Sequence, residues 1–244
     1  MSPPVRIYKF TRVIFFHGDG RDYFYPMKFR IRFFPLQFFI LSLIIISTGL
    51  SLFISYLVFR LDSSAELKVP ESLALQDGDL VLRRGISIES YAVVLSDNRD
   101  SYSHIGIIMV EKGIPFVIHV EPDESGRKDE AVRKEPLNTF LGPGKASHFA
   151  IYRSHLDRNK LEQVTSQARK YYLRGYRFDH AYDLLDDRSL YCTELVLKAY
   201  RRADQRINRL LYELEDINIL VYSHKLLMPG AFTSSNLFYK ICSQ

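Results

Sequence analysis

Cys192 stands in "DDRSLYCTELV", at the start of a helical pattern, and the chain has one other cysteine, Cys242. A thiol in the first turn of a helix faces free backbone N–H groups and the positive end of the macrodipole. Both favour the thiolate. Asp186, Asp187 and Glu194 nearby oppose it, so a base is needed. His104 opens the apolar run "HIGIIMV" and can supply one. A thiol paired with an imidazole attacks a carbonyl and then returns the proton to the leaving group. His119, in "FVIHVEP", can orient the base if the two runs pair as strands, the third role of a nucleophile–base–orienter set. Glu121, two residues on, points to the same face and is the alternative orienter. The plain readings are a small buried helix cysteine and hydrogen-bonded strand histidines, and chain order alone does not bring these residues together.

The elements around them are legible. "GDLVLRRG" (Gly78–Gly85) reads as a turn and a short strand. "HIGIIMV" (His104–Val110) and "FVIHV" (Phe116–Val120), joined by "KGIP", read as a hairpin. "HFAIYRS" (His148–Ser154) alternates as a further strand. Asp157 caps a helix to about Leu173, with Leu161, Val164, Ala168 and Tyr171 on one face and Gly175 beyond its end. A second helix is expected over about Leu190–Ala203, capped by Ser189 or Asp187, with Leu195, Val196, Ala199 and Tyr200 inward. A third follows over about Ile207–Leu214. Strands first and helices after, with no β-α alternation, predict an α+β fold with an antiparallel sheet packed against helices.

Charge and hydropathy add a membrane element. Residues 1–32 carry seven Lys or Arg against Asp19 and Asp22, whereas residues 61–244 carry 25 basic and 26 acidic side chains. The near-neutral remainder excludes a broad phosphate-binding face, so no nucleic acid partner is expected. An uncharged run from Phe33 to Phe59 follows the basic tail and is long enough to span a bilayer. It exceeds the apolar core of a cleavable signal peptide. The expected layout is a basic cytoplasmic tail (1–32), a transmembrane helix (33–59), a linker (60–70) and one domain (71–244) placed outside the cytoplasm by the positive-inside bias. Two cysteines make at most one bridge, so this is no disulfide scaffold.

"GDLVLRRG", "SHIGIIM", "VIH" and "YCTELVLKAY", in that order, resemble the permuted NlpC-like papain-fold hydrolases, the YiiX/YaeF group. The resemblance runs from about residue 71 to the C-terminus and takes in "MPGAFTSSNLF". It implies a permuted papain-like fold in which the histidine strands precede the cysteine helix. It also implies Cys192 as nucleophile, His104 as base and His119 as the third polar residue. Members often carry Glu at the third position, while related enzymes such as lecithin retinol acyltransferase use His. Tyr200 matches a recurrent family tyrosine and is an expected supporting residue, and "YRFDHAYDL" (Tyr176–Leu184) resembles a segment that wraps the substrate cleft.

Other chemistries fit less well. His104, His119 and Cys192 are zinc-type ligands, but no CxxC or HExxH occurs and no metal or other cofactor is expected. "GDLVLRRG" lacks the Lys and Ser/Thr of a phosphate loop. The expected function is a membrane-anchored cysteine hydrolase cleaving amide or peptide bonds in a cell-envelope substrate. The alternatives are a lipid-directed thiol acyltransferase or lipase of the same fold, and a non-catalytic binding domain.

Overall fold

The computed structural model describes residues 36–62, 67–122, 130–219 and 222–244. Residues 1–57 and 58–244 form separate compact units. Helix α1, Leu36–Asp62, runs for 27 residues. Ile40, Leu41, Ile45, Ile46, Leu52 and Phe53 on it are exposed. Among the described residues no helix is long and apolar enough to cross a membrane. The expected basic tail, 1–32, and the first residues of the expected span lie outside the described residues.

The larger unit is built on β1 (Leu80–Arg84), β2 (His104–Glu111), β3 (Ile114–His119), β4 (Arg133–Pro136) and β5 (His148–Ser154). Between these lie α2 (Ile88–Ser96) and α3 (Leu137–Phe140). Then come α4 (Arg158–Leu173), β6 (Arg177–Phe178), β7 (Ser189–Leu190), α5 (Cys192–Ala203), a 3-10 helix (Gln205–Glu213), β8 (Glu215–Ile219), β9 (Tyr222–Leu226), α6 (Gly230–Thr233) and β10 (Phe238–Ser243). Six strands form one sheet in the order β10-β5-β1-β2-β3-β4. Every pairing in it is antiparallel. The α+β architecture expected from the sequence is therefore the one formed, with one departure. The chain does not end in helices, because β10 returns to pair with β5 at the edge of the sheet.

Strand alternation divides the interior into two cores. Leu80, Leu82, Ile105, Ile107 and Ile118 face one side and pack with Val164 and Ala168 of α4 and Leu195, Val196 and Ala199 of α5. Val81, Ile108, Val117, Phe149 and Ile151 face the other side and pack with Leu137 and Phe140 of α3. Leu67 and Val69, in the stretch read as a linker, pack against this second core. α4 has its N-cap at Asp157, whose side chain accepts from the Lys160 N–H, as its sequence requires.

Candidate active site

α5 begins two residues later than a Ser189 cap would place it and four later than an Asp187 cap. Ser189 and Leu190 are held extended in β7, paired to Arg177 and Phe178. Tyr191 is the N-cap, and its N–H donates to Glu194 Oε2 at 3.2 Å. Cys192 is consequently the first helical residue, where backbone N–H groups lack intrahelical acceptors. The N–H groups of Ile105, Thr193 and Cys192 itself all favour its thiolate. Ile105 follows His104 directly, so the head of α5 meets the mouth of β2. Burial still wins over these donors and pushes the Cys192 thiol up to about 11.

His104 and Cys192 line one cavity of about 370 Å³, together with Arg83, Glu121, Tyr182 and Tyr191. His104 is buried, and His119 is fully so. His104 Nε2 lies 2.9 Å from His119 Nδ1, a hydrogen bond between rings on neighbouring strands. Gly106 permits this closeness. A Cβ there would come within 2.4 Å of Val117 Cγ1 and 3.2 Å of His119 Cβ. Both rings rest on Phe140, with centroids 5.5 Å and 5.0 Å away, and the Arg83 guanidinium lies over the same ring at 4.4 Å. Burial, then Arg83 and His119, hold His104 well below the ordinary histidine range. Burial likewise lowers His119, with Glu135 and Glu121 opposing it. Both directions favour the uncharged forms, a thiol at Cys192 and a neutral imidazole at His104.

Glu121 lies 3.7 Å from His104 Nε2, too far for a hydrogen bond. Its carboxylate is instead taken by Arg83 and, at 3.3 Å, by Arg133. Of these two, His119 is the one hydrogen-bonded to His104. Tyr200 is brought elsewhere. Its hydroxyl donates to the Gly78 carbonyl, its ring packs against Phe238, and it does not line the cavity that holds Cys192. It acts as a strut between α5 and the turn before β1. Tyr182, from the segment matched to the family's cleft wrap, does line that cavity, as does Phe178.

Sequence reasoning missed two groups. Phe140 lies in a helix of four residues, too short to show a period. Glu135 sits on the charged strand "RKEP". One of its oxygens is 3.2 Å from His119 Nε2 and the other 3.0 Å from Lys145 Nζ. These two partners outweigh burial and pull the Glu135 carboxyl down to about 2. The remaining sulfur, Cys242, is a free thiol on β10 packed against the second core, while Cys192, also free, packs against the first.

An antiparallel sheet whose histidine strands come before a helix headed by cysteine defines a papain-like fold with rotated chain order. The chain belongs to the permuted papain-like amidase family, YaeF/YiiX (C92), whose family model matches residues 74–241. Among solved structures it is similar to the metalloprotein yiiX of Escherichia coli O157:H7. That match has 19% identity and a TM-score of 0.54, and covers 69% of this chain and 97% of the other. No curated protein matches. At family level the protein is a cysteine hydrolase of amidase type.

His104, His119 and Glu121 are also residue types that can ligate a cation. Ligand atoms of His104, His119 and Glu121 do lie within 4.8 Å of one another. They do not fit a cation as arranged. The two ring nitrogens that would bind it are spent on each other, and Glu121 already carries two guanidinium groups. A divalent ion would sit against the fixed positive charge of Arg83 and Arg133.

Proposed function

We propose that Cys192 and His104 hydrolyse an amide bond through an acyl-enzyme. The observation that carries this reading is the meeting of the α5 N-terminus with the mouth of β2. There the Cys192 thiol shares a cavity with His104, whose ring is tied to His119. As Sγ attacks the carbonyl, the thiol proton passes to the imidazole. The oxyanion gathers at the free N–H groups at the head of α5. His104 then protonates the departing amine. Water adds to the thioester with His104 as base, releasing the acid and restoring the thiol.

The substrate we propose is an amide of the cell envelope, reached from a membrane anchor with the domain outside the cytoplasm. What supports the anchor is the seven-cation tail before an uncharged run of 27 residues, Phe33 to Phe59. Mass spectrometry after incubating the full-length chain with peptidoglycan fragments and with phospholipid vesicles tests both parts, with Cys192→Ala and His104→Ala as controls. Cleaved peptide that requires both residues supports the envelope amidase. A second reading, acyl transfer from lipid, draws on the apolar share of the cavity wall, including Val93, Phe178, Leu226 and Leu227. Acyl adducts formed from vesicles alone would establish it in place of amide cleavage. Product formation by Cys192→Ala would refute the nucleophile assignment in either case.

A further inference from the structure

The histidine pair does not end at His119. Its outer nitrogen, Nε2, is fully buried and has no well-angled hydrogen-bond partner. The carboxylate of Glu135 stands 3.2 Å away on β4, braced from behind by Lys145. Glu135 is linked to His104 through His119, whereas Lys145 lines the same cavity as His104 and also acts on it directly by charge. We propose that Glu135 is a positioning residue that sets the tautomers of both imidazoles, and so decides whether His104 can act as a base. This rests on the Cys192–His104 reading above.

Proton counting links the carboxylate to the base. A neutral imidazole carries one N–H and one lone pair. A carboxylate accepts only, so Glu135 requires the proton of His119 to sit on Nε2. That leaves a lone pair at His119 Nδ1, 2.9 Å from His104 Nε2. The proton of His104 must then sit on its own Nε2 and point at His119. The nitrogen left with a lone pair is His104 Nδ1, which is the state a base needs. Without Glu135 the opposite assignment becomes available. His119 then donates from Nδ1, His104 accepts at Nε2, and His104 Nδ1 already holds a proton and cannot take one from the thiol. An analogous tautomer error in a serine triad lowers turnover by about four orders of magnitude.

Lys145 makes the test specific. In Glu135→Gln, the ammonium, 3.0 Å from the outer carboxylate oxygen and 3.3 Å from the one facing His119, favours the carbonyl oxygen at the nearer, outer position. That turns the NH2 group towards His119, which enforces the wrong tautomer in nearly the same volume. Removing the ammonium as well, in Glu135→Gln with Lys145→Met, frees the amide to present its oxygen to His119. A merely structural role for Glu135 would predict the double variant to be the worse of the two.

The experiment reads two signals on the full-length chain. One is the rate of Cys192 acylation by p-nitrophenyl acetate. The other is the 15N chemical shifts of histidine-labelled protein, which report protonation at each ring nitrogen. The expected result is a loss of about 10²- to 10⁴-fold in acylation for Glu135→Gln, as for removal of a general base. His104 should move from the Nε2–H to the Nδ1–H tautomer, and the double variant should recover at least about tenfold of the lost rate. Unchanged tautomers with an unchanged rate in Glu135→Gln would overturn the proposal while His104→Ala still abolishes acylation. A rate unaffected by His104→Ala would instead sink the underlying Cys–His reading. A double variant slower than Glu135→Gln alone, with its tautomers intact, would also overturn the proposal and leave Glu135 a packing residue.

Discussion

The neutral resting pair makes a quantitative demand on the thiol. Cys192 is pushed from an ordinary value of 9.0 up to about 11 by burial at the cavity wall. A displacement of that size corresponds to roughly 3 kcal/mol against the anion. At pH 8 it leaves roughly one thiolate in a thousand, where an unperturbed thiol has roughly one in ten. Iodoacetamide is attacked by thiolate at its iodide-bearing carbon and builds no charge on a carbonyl oxygen, so its rate reports the resting ionisation. In a Cys242→Ser background, alkylation of the full-length chain followed by mass spectrometry should be about 10-fold slower at pH 8 than that of an ordinary thiol, because the thiolate is about 100-fold scarcer but about tenfold more nucleophilic. The rate should climb about tenfold per pH unit up to at least pH 10. A rate already level between about pH 5 and pH 8 would mean a preformed thiolate–imidazolium pair. That result would refute the inference that desolvation outweighs the helix terminus and the three N–H donors.

The base makes a matching demand on acid pH. His104 is held low, so acylation by p-nitrophenyl acetate should persist below the usual histidine range and fail only once the ring is protonated; an acid limb at or above pH 6.5 would contradict this. Gly106→Ala should wedge β2 from β3 at the Val117 and His119 contacts, costing about 1–3 kcal/mol in chemical denaturation and slowing acylation more than Gly113→Ala does. Glu194 is fully buried and its carboxyl is raised to about 7 by burial, against the pull of Lys198. A raised carboxyl favours the folded state while protonated, so stability should be highest below about pH 4.5 and fall by at most roughly 3 kcal/mol as pH rises through 7. Thermal melts of Glu194→Gln should lack that slope, and an identical slope would remove Glu194 as its source.

Elements with a strong period were readable, and those that complete the site were not. β2, β5, α4 and α5 each declare a buried face through apolar spacing, and each forms within two residues of its expected bounds. Cys192, His104 and His119 could be named because their neighbours carry that spacing. β4 has no apolar residue to announce it in "RKEP", since its side chains flank the charged end of the sheet. Glu135 was therefore invisible as a partner for His119, although it is 16 residues away in the chain. Phe140 was hidden for a different reason, as a four-residue helix shows less than two turns. The N-cap was misplaced because Ser189 has ideal chemistry for it, yet its side chain is held by Asp186 and its backbone pairs in β7. Local propensity lost there to a tertiary pairing that no local pattern encodes.

The charges around the cavity explain why the site rests neutral rather than ion-paired. Glu121 is the carboxylate nearest to His104, and an imidazolium at His104 would gain from it if it were free. It is not free, because Arg83 and Arg133 have already matched its charge. Arg83, Arg133 and Lys145 all act to lower His104, so protonating the base means adding a cation to a cationic wall. Glu135 acts on His119 and reaches His104 only through a neutral ring. The fixed field therefore opposes a standing imidazolium, and the thiol gains nothing from giving up its proton in advance. Proton transfer becomes favourable when negative charge builds on a bound carbonyl oxygen at the head of α5, where free N–H groups wait for it. On this account the reactivity of Cys192 belongs to the complex with substrate. A carbonyl electrophile that fills the cavity should discriminate wild type from His104→Ala far more sharply than iodoacetamide does, and equal discrimination by both reagents would show that the field had been misjudged.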